Sequence, residues 1–412
     1  MKKVVFIGMF LSLAGMVMAQ SGKRLLNDAY GAYQNGYYDK AKTAIDKCIE
    51  YDDTKAEAKT WLYRGNIYLM IEDKKMQPDS ARYKRLCDNC AEIAFDAYLQ
   101  ASKIDGKVEV SGMNISNVRQ GLKHCSRMLY NAFVDVVSKK NDDGKNDEAA
   151  YQLIKKALQA DRTLAAATEM VDTNILFYAG YMAERLKKYD EAKTHYLNLI
   201  KVKEYKSIKP YKQLAEIYQV ENDTVKAVKL MQSGVPLFLQ ETNFNVDYAA
   251  VYSIVMAWAG KSEDATEVMN KAEERDPTNY VILINNGSAY LQNKQYDEAE
   301  IRFKRAAELN PKDATAVFNL SNCYLQKAAA KFEEAKNVPM SDAASYEKLT
   351  NEGKALYETA KPYVETAYKL DPNDRDTWVM LQKIYMRLGT TTDEESARAK
   401  EIGEKIKEAR SK

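Results

Sequence analysis

Residues 287–311 read GSAYLQNKQYDEAEIRFKRAAELNP, and small and large side chains are set at fixed places in them: Gly287, Tyr290, Ala299, Phe303, Ala306 and Pro311. The stretch carries helical patterning on both sides of a short polar turn, with no sustained strand-like alternation. Gly287 and Ala299 are small where two helices cross closely, and Tyr290 and Phe303 fill the volume beside the crossing. Ala306 is small where a following unit packs. Pro311 starts a helix-ending turn, because it cannot donate the backbone hydrogen bond that continuation needs.

Working outward, the same pattern returns. Ala192, Ala227, Ala265 and Ala299 lie 35, 38 and 34 residues apart, and Pro277 and Pro311 lie 34 apart. YDEA occurs at Tyr189 and Tyr296, and YDKA at Tyr38. A period in this range is the mark of a solenoid whose units bury their apolar faces only against neighbours.

These residues resemble the tetratricopeptide repeat, whose pattern is Trp, Leu, Gly and Tyr on a first helix, then Ala, a Phe-like residue, Ala and Pro on a second. The unit at 280–313 matches nearly every position. Gly180, Ala192 and Tyr196 carry the resemblance in a second unit, Leu214, Tyr218 and Ala227 in a third, and Ala265, Met269, Ala272 and Pro277 in a fourth. Trp61, Gly65 and Tyr68 mark an outer unit near the front, and Trp378, Leu381 and Tyr385 one near the end. The resemblance implies an all-α solenoid of helical hairpins, a right-handed superhelix of about nine units with extended-helix insertions.

The organisation expected is a leader at 1–19, N-terminal units with insertions at 20–163, regular units at 173–313, and C-terminal units at 314–412 with a helical insertion at about 326–351. The unit around 117–139, with its loop KKNDDGKND, fits the pattern least, so the array should open there first.

The family's first helices line the inner groove. Carried over position by position, groove residues would be Tyr63, Asn66, Phe177, Tyr181, Arg185, Trp258, Asn285, Ser288, Asn319 and Asn322. Asn285 and Asn319 occupy one place in successive units and resemble a ladder of carboxamides that hydrogen-bonds the backbone of an extended peptide. The clamp by which some relatives hold a C-terminal carboxylate is missing, since Phe318 stands where its lysine should be.

Charge narrows the partner. There are 61 Lys and Arg against 59 acidic residues, and removing Lys2 and Lys3 leaves 59 against 59. A balanced chain lacks the basic footprint of nucleic-acid or anionic-membrane binding. The N-terminus reads MKK, then the apolar run VVFIGMFLSLAGMVMA, with Val17 and Ala19 before a cleavage point. It is expected to be a bacterial secretory signal. Gln20 stands where a lipoprotein would carry its acylated cysteine, so the mature chain is expected to be periplasmic or secreted without a lipid anchor or membrane span.

Catalytic motifs are missing. His124 and His195 are the two histidines, neither in a recognisable constellation, and no HExxH, phosphate loop or nucleophile elbow occurs. His195 reads as a partly exposed helix residue. No enzyme activity, cofactor or metal is expected. Cys48 and Cys323 read as small buried residues. Cys87, Cys90 and Cys125 cluster, leaving unpaired thiols, a disulfide within Cys87–Cys90 or between Cys90 and Cys125, or a zinc site with His124. Against zinc, His124 and Cys125 are adjacent on a helix and point about 100° apart.

The reading is therefore a non-enzymatic interaction scaffold of the cell envelope that takes a peptide or helix of a protein partner. The alternative is an envelope accessory protein binding glycan or assisting outer-membrane assembly.

Overall fold

The computed structural model describes residues 22–78, 80–138, 144–164 and 172–411. The leader at 1–19 and part of the KKNDDGKND loop lie outside the described residues.

The chain forms two compact units, Met1–Tyr205 and Lys206–Lys412. In unit 1 the helices are α1 (22–34), α2 (Tyr38–Cys48), the short α3 (Asp52–Lys55), α4 (Ala58–Lys75), the short α5 (Ala81–Lys84), α6 (Cys90–Ile104), α7 (Val118–Val137), α8 (Asp147–Leu164), α9 (Thr173–Arg185) and α10 (Tyr189–Ile200). Unit 2 holds α11 (Lys209–Val220), α12 (Thr224–Phe238), α13 (Val246–Trp258), α14 (Ser262–Arg275), α15 (Tyr280–Gln292), α16 (Tyr296–Leu309), α17 (Ala314–Lys336), α18 (Ala343–Leu370), α19 (Arg375–Leu388) and α20 (Asp393–Ser411). A two-residue ribbon, β1 (Leu239–Gln240) with β2 (Asn243–Phe244), links α12 to α13. Consecutive long helices pack as hairpins, and each hairpin packs on the next within its unit.

The hairpin turn has one geometry and no single sequence. Gly36, Lys187, Asn222, Gly260 and Lys294 each stand two residues before a second helix, and each has a left-handed backbone with φ between 56° and 73°. The next residue's N–H then reaches back five residues, as in Lys188 to Ala183 at 2.8 Å, Lys261 to Met256 at 2.8 Å and Gln295 to Tyr290 at 2.9 Å. This is the closure that satisfies the last carbonyls of a helix. Second helices open with acids, Asp190 and Glu191 in α10 and Asp297 and Glu298 in α16, which favour the positive helix end. First helices in unit 2 are capped instead by Asn245, Asn279, Asp313 and Asp374, whose side chains accept backbone N–H groups.

Close crossing of the two helices explains the small residues. A Cβ placed on Gly287 would lie 2.6 Å from the Phe303 ring; on Gly65, 2.6 Å from Tyr98; on Gly180, 2.7 Å from Tyr196. Ala192, Ala227, Ala265 and Ala299 are fully buried. One hairpin outgrows the rest: α17 has 23 residues and α18 has 28, against 13 and 14 in α15 and α16. Its own core holds the extension together, with Tyr324 stacked on Tyr363 at 5.8 Å and Phe332 against Tyr357 and Gly353.

Candidate functional site

In unit 2 the first helices α13, α15 and α17 pack side by side. Asn285, Ser288, Asn319, Asn322, Trp258 and Phe318 are all half-buried on them. Ile254 and Val281, at 50% and 51% exposure, supply apolar surface beside the amides. The carboxamides of Asn285 and Asn319 have no partner among the described residues. Ser288 donates to its own helix at Ile284 O, 2.8 Å away, and Asn322 Oδ1 accepts a long bond from Gln326 at 3.4 Å. Trp61 and Trp378 donate their indole N–H groups to the carbonyls of Lys55 and Pro372, both at 2.8 Å. The face therefore offers donors, acceptors and apolar surface together, which suits a main chain carrying alternate side chains.

Unit 1 differs, and the sequence expectation for Tyr63 and Asn66 is corrected there. Tyr63 is buried and stacks on Tyr30 at 5.5 Å, and Asn66 is 1% exposed. The cause is a hairpin of the chain's own, closed by a bridge between Glu109 and Asn117 and by Val110 N to Ser116 O at 2.7 Å. It lies over α1 and α4. Asn66 Nδ2 donates to Ile115 O at 2.8 Å, its Oδ1 accepts the Tyr98 hydroxyl at 2.7 Å, and the Gln34 amide donates to Gly112 O. Gly112 takes a left-handed backbone with φ of 76°, which side chains rarely adopt, and a Cβ there would crowd the Tyr30 hydroxyl.

On α9, Phe177 and Tyr181 are half-buried and Arg185 is exposed. Phe177 spends its ring on Tyr178 and Tyr196, at 5.5 and 5.8 Å. Arg185 donates from Nε to Asp147 Oδ2 at 2.9 Å and its Nη2 stands in ion-pair contact with Oδ1 at 2.9 Å. These three residues sit in unit 1.

The cysteine cluster resolves into a pair and an outlier. Cys87 and Cys90 lie together at the start of α6, Cys90 Sγ 3.5 Å from Cys87 O, whereas Cys125 is fully buried on α7, its thiol pushed up by burial and by Asp96. Among the described residues no three His, Cys, Asp or Glu side chains converge as a metal site. His195 is 5% exposed rather than on the surface, where side chains of α8 share the cavity it lines. It lines a cavity of about 390 Å³ with Tyr151, Lys155, Arg162 and Glu191. Burial lowers its pKa, helped by Arg162, and Nδ1 has no partner.

Helical hairpins stacked in series, with an aromatic ring seated on a first-helix glycine at Gly65, Gly180 and Gly287, define an all-α repeat protein. Residues 259–320 match the family model described as Tetratricopeptide repeat. Among solved structures the chain is similar to PilW, a "widely conserved type IV pilus biogenesis factor", at 16% identity over 58% of this chain and 93% of that one, with a TM-score of 0.42. It is also similar to YrrB, "a TPR protein with an unusual peptide-binding site", at 15% identity over 54% and 97%, with a TM-score of 0.35. A MamA structure matches at 17% identity over 49% and 98%, with a TM-score of 0.33. At these scores the likenesses add nothing to a functional argument. No curated protein matches the chain. No described helix is long and apolar enough to cross a membrane.

Proposed function

We propose that this chain is a non-enzymatic protein-interaction scaffold of the bacterial cell envelope, and that the face of α13, α15 and α17 binds an extended segment of a partner protein. The observation that supports this reading is the bond from Asn66 to the carbonyl of Ile115. Asn66 follows Gly65 as Ser288 follows Gly287, and Asn322 stands 34 residues beyond Ser288. At that repeat position a carboxamide already holds a main-chain carbonyl, supplied in unit 1 by the chain itself. In unit 2 the corresponding residues keep partial exposure. Peptide carbonyls would meet Asn319 and Asn322, peptide N–H groups the oxygen of Asn285, and apolar side chains Ile254, Val281 and Phe318. The envelope placement rests on the leader at 1–19.

The test is crosslinking capture with the intact protein from its native envelope, beside a variant with Asn285, Asn319 and Asn322 changed to Ala. Capture of one protein by the native chain and its loss from the variant supports the reading; binding of the captured partner's unstructured segment as a synthetic peptide confirms the mode. Unchanged capture by the variant overturns it, as does enrichment of glycan in place of protein.

A further inference from the structure

Cys87 and Cys90 differ in every respect that matters to sulfur chemistry. Cys90 is the first residue of the 15-residue α6 and is fully buried, its Sγ 3.5 Å from the carbonyl of Cys87. Cys87 lies in the link before the helix, half-buried, its Sγ 3.8 Å from Asn89 Oδ1. Both sulfurs thus lie within the one turn that opens α6. Lys75, at the end of α4, reaches over the link, its Nζ 3.2 Å from Asp88 O and 3.0 Å from Glu72. Asn89 gives α6 no side-chain cap, so the first N–H groups of that helix face the link without one.

We propose that Cys87 and Cys90 are a reversible dithiol–disulfide centre, in which the accessible Cys87 attacks a disulfide-bearing compound and the buried Cys90 resolves the mixed disulfide.

The surroundings divide the labour. Donation from Cys90, with the Lys75 ammonium, holds the Cys87 thiol below its ordinary pKa, against burial and Glu72. Cys90 is pushed far up, first by that same bond and then by burial. A thiolate at the accessible sulfur and a proton on the hidden one is the division that exchange requires. The Cys87 thiolate bonds to one sulfur of the incoming disulfide, whose S–S bond breaks, and the first thiolate leaves and takes up a proton. Cys90 then gives up its proton, its sulfur bonds to Cys87, and the second thiolate leaves and is protonated. Two electrons pass from the pair to the incoming disulfide, leaving a Cys87–Cys90 disulfide and two free thiols. A dithiol drives the reverse. The other cysteines do not compete: Cys48, Cys125 and Cys323 are fully buried, and burial raises Cys48 and Cys323 to about 11.

The test uses the full-length chain in glutathione buffers of graded oxidation, with acid quenching, thiol alkylation and mass analysis of the tryptic peptide 86–103, which contains both cysteines. Oxidised buffer should give this peptide lighter by two hydrogens and unalkylated, and dithiothreitol should reverse it. Cys90→Ser should accumulate a glutathionyl group at Cys87; Cys87→Ser should leave Cys90 unmodified, with circular dichroism confirming that both variants are folded. Lys75→Met should move the pH profile of Cys87 alkylation upward by several tenths of a unit. A pair that stays alkylatable in oxidised glutathione, or an adduct that forms on Cys90 as fast as on Cys87, overturns the proposal. An unmoved alkylation profile in Lys75→Met overturns the part given to Lys75.

Discussion

The Asn66 carboxamide donates to Ile115 O at 2.8 Å and accepts the Tyr98 hydroxyl at 2.7 Å, so one buried side chain ties α4, α6 and the 109–117 hairpin together. Changing Asn66 to Ala leaves a buried hydroxyl and a buried carbonyl without partners, at about 1–3 kcal/mol each where water cannot reach them. Asn66→Ala should therefore lose about 3 kcal/mol in denaturant unfolding. Hydrogen exchange should show the Val110 amide, bonded to Ser116 O, opening well before the rest of unit 1. A loss below about 0.5 kcal/mol would mean that the hairpin is held by Tyr30 and Gln34 rather than by Asn66.

Gly287 offers a test of the packing argument. Alanine there gains about 1 kcal/mol of helix propensity over glycine, yet its Cβ would lie 2.6 Å from the Phe303 ring. Overpacking of a full core costs about 1–3 kcal/mol, so Gly287→Ala should be net destabilising. Adding Phe303→Leu should recover part of the loss, giving a coupling energy of about 1 kcal/mol in a double-mutant cycle. Strictly additive losses would show that ring and glycine do not constrain each other.

Contacts repeated locally were legible in the sequence, and contacts made by distant segments were not. Gly287, Ala299 and Phe303 announced a hairpin because every unit solves the same crossing within its own 34 residues. The left-handed turn was hidden, since Gly36, Lys187, Asn222 and Lys294 share a backbone conformation and no side chain. Tyr63 and Asn66 were read onto an open face, and nothing near them in sequence signals that residues about 50 positions later return to cover them. Gly112, between Ser111 and Met113, was the available hint, and it is weak. The CxxC spacing of Cys87 and Cys90 was visible, but the Lys75 ammonium above it depends on where α4 ends. His195 was misjudged for a similar reason: its neighbours Lys155 and Arg162 lie on another helix.

Acid should weaken unit 1 through His195. Its pKa is lowered, chiefly by burial and then by Arg162, with Lys155 adding to this and Glu191, 3.6 Å from Nε2, opposing it. The fold thus prefers the neutral ring. The contribution is complete above the ordinary value of about 6.5 and is lost as pH falls from there through the lowered folded value. Exchange protection in α8 and α10 should decline between about pH 7 and 5, and His195→Gln should flatten most of that decline, His124 accounting for a remainder. Unit 2 contains no histidine and should show no change over this range. Equal loss in both units would remove His195 as the cause.

A second acid transition belongs to unit 2 and lies lower. Burial pushes the Glu300 carboxyl up, but hydrogen bonds from Lys304, Lys327 and Tyr324 outweigh it and hold the group at about 2. Two of these bonds are 2.6 Å from Lys304 and 2.7 Å from Tyr324, and Lys327 is shared with Asp297 at 2.7 Å. A carboxyl depressed in the fold stabilises above its ordinary value and loses that contribution as pH falls towards the folded one, so the window runs from about pH 4.5 down to 2. Solvent reaches part of this cluster, so the contribution is about 1–2 kcal/mol rather than the full shift. Glu300→Gln should lower unit 2 stability by that amount at neutral pH and remove the corresponding part of the acid transition. Lys327→Met should reproduce most of the effect, and the double variant should fall short of the sum, because both substitutions break one network joining α16 to α17. Full additivity, or an unchanged acid transition in Glu300→Gln, would show that Lys304 and Tyr324 find other partners and that the cluster does not fasten the extended hairpin to its neighbour.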